Sequence, residues 1–450
     1  MLYQNTIAFH ILLFLASCSL KSALADWPQF LGPNRDGHAT ASGLLKTWPE
    51  GGPSVAWTFR NAGLGYSSPT VVGNRLLITG SRSDQEQLIC LDASTGQELW
   101  SAIIGPKFDF QGNTWGAGPR AAPSVLPSAG SASENLVVAL GGGGNLICAN
   151  LSDGRIVWQK HMMQDLSGEV NPIGGGPGTK PGEPKIGWGY SWSPLADDGQ
   201  LICFPGGSGG AVAALSPSTG EVLWRSKDFT AQASYASIVA VEIDSVRQYA
   251  VLHNEGLTGI DAKDGTVLWS WKKTYSDVVI PTPLVAGERH IYVSAGSSPS
   301  TCGLVQITRS GQQFQAEMQY PSKATRVMKN LVGGSVIVDG HAYGYSDKIG
   351  WVCQEVITGA QKWAARSPLK AGSVIAAEGL LYCYDEDRAE VALVEATPKE
   401  FSLRSSFGLP ESTAMKAPSG RNWTPPVIAN GTLFIRDQEL LFAYDIRDKS

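Results

Sequence analysis

The chain has 450 residues, 43% of them hydrophobic, with 52 glycines, 14 tryptophans and a formal net charge of −5. That length suits two or three domains, or one large unit built from repeats. Neither half is strongly basic, which excludes a nucleic-acid footprint, and glycine with tryptophan at this density reads as a soluble all-β protein.

The first predicted element is a targeting segment. MLYQNTIAFH leads into the apolar run ILLFLASCSL and then into KSALADWPQF. The run is shorter than the about 20 apolar residues a bilayer span needs, so no transmembrane span is expected. Residues 1–25 therefore read as a signal peptide. Two processing routes stay open: cleavage at the A-x-A site Ala23–Ala25, giving a mature chain from Asp26, or lipidation of Cys18 within Leu15-Ala16-Ser17-Cys18. Both predict export to the periplasm or the extracellular space, the second with a lipid anchor. Residues 26–53 follow as an N-terminal extension.

From there one phrase recurs. LDASTGQELW ends at Trp100, and related phrases end at Trp158, Trp224, Trp269 and Trp363, each with a glycine four residues earlier: Gly96, Gly154, Gly220, Gly265 and Gly359. A threonine or aspartate precedes each glycine, the chemistry of a hairpin turn that needs positive φ. The polar residue eight before the tryptophan (Asp92, Asn150, Ser216, Asp261, Glu355) suits capping of the turn amides. Each unit thus reads as four short antiparallel strands.

Eight opening strands can be counted: 67–72, 121–126, 192–197, 236–243, 282–287, 333–338, 371–376 and 424–429. The fifth unit has lost its tryptophan, the seventh is eroded, and the eighth stops at LLFAYDIRDKS before a last strand. SVAWTFR (54–60) carries Trp57 with no strand of its own before it. Pairing it with the eighth unit closes a ring and removes exposed sheet edges. The expected fold is an eight-bladed β-propeller over 54–450, with Trp57, Trp100, Trp158, Trp224, Trp269 and Trp363 docking blade against blade. Cys90, Cys148 and Cys353 each stand ten residues before a repeat tryptophan, so they are equivalents in different repeats. They are expected to be buried thiols rather than disulfides.

The A-x-D-x-x-T-G-x-x-x-W pattern resembles the repeat of PQQ-type quinoprotein propellers. DWPQFLGPNRDG (26–37), WGYSWSPL (188–195), MKN (328–330), GWVCQ (350–354) and RDQELLFAYD (436–445) resemble more narrowly the exported PQQ-like propellers of planctomycete-type bacteria. Those are related to the propeller lipoprotein of outer-membrane assembly and to quinoprotein alcohol dehydrogenases. The enzymes of this group hold PQQ with a calcium-ligating Glu and Asn, an aspartate base and an arginine, and many add a disulfide of adjacent cysteines. This chain has no Cys-Cys pair, and the calcium ligands cannot be placed on a matching motif.

The remaining candidate site residues precede opening strands, near the expected channel mouth. Trp188, Tyr190 and Trp192 follow the Gly/Pro-rich insertion 171–186 and suit a stacking floor or the packing of that loop. Lys329 and Asn330 precede the sixth opening strand, and Arg421, Asn422 and Trp423 the eighth; they suit an axial funnel that binds an anionic or carbonyl group. YDEDR (384–388) lacks the D-x-D-x-D-G-x₅-E calcium pattern and reads as a solvated turn. No H-x-x-x-H pair or G-x-S-x-G elbow occurs, so no catalytic residue and no metal ligand is assigned. The leading expectation is a monomeric, non-enzymatic binding or scaffold protein presenting its faces to a cell-envelope protein, peptide or glycan. The alternative is a PQQ- and Ca²⁺-dependent dehydrogenase of alcohols or sugars.

Overall fold

Short apolar runs between hairpin turns fold as eight four-stranded antiparallel sheets, all of them meanders in sequence order except the last. The computed structural model describes residues 25–110, 113–126, 135–172, 186–276, 278–296, 301–366 and 369–449. The targeting segment up to Leu24, with Cys18, and most of the insertion 171–186 lie outside the described residues. Blades 1 to 7 span 70–106, 124–161, 195–225, 239–272, 284–318, 335–365 and 372–408. Blade 8 combines 427–445 with the N-terminal strand Ser54–Phe59, which pairs antiparallel with Leu440–Asp445 and sets Trp57 opposite Ala443. The ring is closed by a strand from the far end of the chain, as the split last repeat predicts.

The strand sequences follow from this layout. The second and third strands of a blade lie between two neighbouring sheets, so Leu76 to Ile78 and Leu88 to Leu91 are buried without alternation. The fourth strand faces solvent on one side, and Glu98–Pro106 accordingly alternates in exposure along much of its length. In the turn between the last two strands of blade 1, the Asp92 carboxylate accepts the N–H groups of Ser94 and Thr95 at 3.0 Å each. Gly96 then turns the chain at φ 72°.

The repeat glycine has a second duty that the turn alone does not require. A Cβ on Gly96 would stand 2.6 Å from the Trp57 ring, and the same holds for Gly154 beneath Trp100 (2.4 Å), Gly220 beneath Trp158 (2.7 Å) and Gly265 beneath Trp224 (2.5 Å). Each indole therefore lies on the turn glycine of the next blade. Trp57, Trp100, Trp158 and Trp363 also donate their indole N–H to a backbone carbonyl of that next blade, at Ala93, Leu151, Pro217 and Thr397. Trp224 donates instead to Gln200 in its own blade. Trp269 faces the eroded fifth blade, which offers no such glycine; it is buried, and its N–H goes to Gln248 of its own sheet at 2.7 Å. Tyr320 takes the lost tryptophan's place, packing on Gly359 and donating its hydroxyl to the Val356 carbonyl. All six described cysteines are free and buried, Cys302 included.

The extension crosses the base of the ring. Trp27 bridges Val71 of blade 1, and the Pro28 carbonyl accepts Val125 N–H of blade 2. Arg35, fully buried, donates to Gln29 and to the carbonyls of Ser193, Pro194 and Ile238 at the entrances of blades 3 and 4. His38 then bridges Ala376 of blade 7, and Leu44 bridges Arg447 beyond blade 8. Phe30 and Leu31 are thereby set on the axis.

Candidate functional site

The entrances of the eight opening strands converge on one cavity of about 510 Å³, to which every blade contributes. Seven of the eight entrances carry Ser, Pro or Gly within two residues of the strand; that of blade 7 has Lys370 and Ala371 instead. The strand proper begins at Thr70, Ser124, Leu195, Val239, Leu284, Ser335, Gly372 and Val427, up to three residues inside the runs expected from sequence. Phe30 and Leu31 of the extension also line this axial cup.

The wall is aromatic. Trp115 lies edge-to-face with Trp188 at 5.9 Å and tilted by 33° against Trp423 at 6.0 Å. Tyr235 backs Trp188 at 5.8 Å, and Tyr66 backs Trp423 at 5.0 Å. Trp115 is 40% exposed and forms the rim. The loop that carries it is anchored by the Tyr66 hydroxyl, which donates to the Trp115 carbonyl at 2.5 Å, and by Ser419 N–H, which donates to Thr114. The indole N–H of Trp188 and the hydroxyl of Ser191, both in residues lining the cup, have no hydrogen-bond partner among the described residues.

Charged groups interrupt the rings. Arg120 lies over the Tyr66 and Phe108 rings at 5.7 and 5.2 Å and donates to the carbonyls of Gly118 and Gly116. Burial lowers its pKa, opposed by Tyr66, Glu86 and Tyr235 nearby. Lys329 comes from the blade 6 entrance, and Arg421 from that of blade 8, where it pairs with Asp387 at 2.6 Å. Glu386 and Asp347 supply acceptors. Burial and then the Asp387 charge push the Glu386 carboxyl up to about 7, while Trp423 and Arg421 pull the other way.

The eight residues singled out from sequence divide in this arrangement. Trp188, Lys329, Arg421 and Trp423 line the cup together. Asn330 also borders it, but its amide is spent on both backbone groups of Gly334. Asn422 is buried, donating to the Asp385 carbonyl and accepting from Lys416. Tyr190 and Trp192 are fully buried in the core between blades 2 and 3, with the Tyr190 hydroxyl donating to Pro205. Positive φ at Gly187 and Gly189 turns the chain on either side of Trp188, so GWGYSW does not keep one face to the axis.

Sequence reasoning passed over Tyr66, Trp115, Arg120, Tyr235 and Glu386. The first, third and fourth stand just ahead of opening strands, a signal that was available. Glu386 belongs to the turn read as solvated. That turn is instead built around Asp385, which is buried and accepts the N–H groups of Lys370, Asp387 and Arg388 at 2.8 Å each.

Comparison with known proteins bears on the same fold. The sequence matches the family profile described as outer membrane protein assembly factor BamB over residues 109–312 and 179–402. No curated protein matches the chain. Among solved structures, BamB from Moraxella catarrhalis is 12% identical with a TM-score of 0.55, covering 87% of this chain and 99% of its own. The quinohemoprotein alcohol dehydrogenase of Comamonas testosteroni is 10% identical with a TM-score of 0.55, covering 95% of this chain and 81% of its own. The computationally designed Ika8 protein reaches a TM-score of 0.52 at 9% identity, covering 87% of this chain and 98% of its own. At such identities the likeness concerns fold alone. Among the described residues no helix is long and apolar enough to cross a membrane.

Proposed function

The chain belongs to the PQQ-repeat propeller family whose profile is described as outer membrane protein assembly factor BamB, and from that premise we propose that it is an exported, monomeric binding propeller whose axial cup receives a cell-envelope glycan, peptide or protein segment. One observation carries the reading: an axial cup of about 510 Å³, walled by Trp115, Trp188 and Trp423, with a few charged groups set among the rings. Recognition pockets of roughly 300–1,000 Å³ have this build, apolar and aromatic with a small number of orienting polar groups.

The asparagine position argues against a calcium-held quinone here. The asparagine that borders the cup has its amide engaged by Gly334. No redox step is therefore assigned to the cup.

Incubating the purified protein with PQQ and Ca²⁺ tests the choice between the two readings. The expected result is no stoichiometric quinone absorbance and no dye-linked oxidation of alcohols or sugars, while glycan or peptide ligands quench tryptophan emission. Stoichiometric PQQ binding with turnover overturns the proposal. Export is tested by mass spectrometry of the chain recovered from cells, which separates a mature end at Asp26 from a lipid on Cys18.

A further inference from the structure

We propose that the cup selects an acidic sugar, a pyranose ring bearing a carboxylate. The proposal rests on the reading of the cup as a binding site and narrows the class of ligand.

Two cations reach the wall with no ion pair among the described residues, the Lys329 ammonium with no partner of any kind and Arg120 with the buried Glu86 carboxyl as a neighbour. Arg120 has five N–H donors, of which two are given to the carbonyls of Gly118 and Gly116 at 2.8 and 2.9 Å. It makes no ion pair among the described residues. The Lys329 ammonium makes neither an ion pair nor a hydrogen bond among them, although its backbone is fixed by Ser346. Arg421, by contrast, is already neutralised by Asp387. A partly buried ammonium without an ion-pair partner, as at Lys329, is costly, and a ligand anion relieves that cost.

Acceptors stand in the same cup. Glu386 and Asp347 line it, and the nearest cation to Asp347 is Lys348 at 4.0 Å. Carboxylates of this kind accept hydroxyl donors, and the tryptophan faces suit the flat C–H side of a pyranose ring. A peptide terminus or a flat carboxylated ring would answer Arg120 and Lys329 but bring few O–H donors to Glu386 and Asp347. A neutral sugar would answer the carboxylates and leave both cations unpaired. A sugar acid supplies both a carboxylate for a free cation and hydroxyl donors for Glu386 and Asp347 in one ligand.

Calorimetric titration of the full mature chain with digalacturonate and with the neutral digalactoside tests this. The acidic sugar is expected to bind about tenfold more tightly, as charge-assisted hydrogen bonds of this type allow. That preference should shrink with added salt, and the affinity ratio should fall several-fold in Lys329→Gln and in Arg120→Gln. Because Arg120 is packed against two rings, Lys329→Gln with an unchanged melting temperature is the deciding variant. Equal affinities for the two sugars overturn the acid preference and leave the cup as a sugar site. Binding of neither sugar overturns the proposal, and stoichiometric PQQ binding with turnover in a parallel titration overturns the underlying reading as well.

Discussion

Gly154 holds φ at 75°, and a methyl group there would stand 2.4 Å from the Trp100 ring of the blade before it. Gly154→Ala therefore combines left-handed strain with a clash, and a loss of about 2–4 kcal/mol is expected by denaturant titration. Trp100→Ala removes the other half of the same contact. Its ring is half-buried rather than enclosed, so the expected loss is about 2–3 kcal/mol, below the roughly 3–5 of a fully buried aromatic. Glu386 gives a pH signature. Its carboxyl sits at about 7 in the fold against an ordinary 4.5, with Asp387, Asp385, Arg421, Trp423 and Tyr345 around it. Between those values the folded chain keeps a proton that the unfolded chain has lost. Stability from this group is therefore present at acid pH and falls as pH rises from about 4.5 to 7. Urea midpoints at pH 5 and pH 8 should show Glu386→Gln gaining on the parent only at the higher pH.

Strands and turns were legible in the sequence because their signals are local. The Thr-Gly and Asp-Gly steps, the eight opening runs and the orphan strand around Trp57 all read correctly from a few adjacent residues. The cup was legible only in part, since its walls are assembled by ring geometry from residues hundreds of positions apart. Lys329 and Trp188 could be placed near the axis by analogy between repeats, but Trp115 sits in an inter-blade loop with no repeat equivalent. The extension was the least legible element. Its polar sequence conceals Arg35, whose guanidinium ties it to the carbonyls of Ser193, Pro194 and Ile238. Arg35→Leu leaves those buried acceptors without a donor. A loss of about 3 kcal/mol or more is expected, together with protease cutting within 26–53 that the parent resists.

At the scale of the molecule the ring is an unbroken circuit of blade contacts. Arg436 locks the joint between its last and first blades, donating from full burial to the carbonyls of Gly63, Ser67, Thr79 and Gln438. A chain cut after Asp437 loses Leu440–Asp445 and with it the partner of Ser54–Phe59. Such a chain should elute as aggregate in size-exclusion chromatography rather than as a seven-bladed monomer, because two sheet edges are left open. The closing strand also imposes an order on biosynthesis. Ser54–Phe59 is among the first parts of the propeller to be translated and the last to find its place, since its partner is made nearly four hundred residues later. A product truncated before Leu440 therefore has nothing for Ser54–Phe59 to pair with, and its ring stays open.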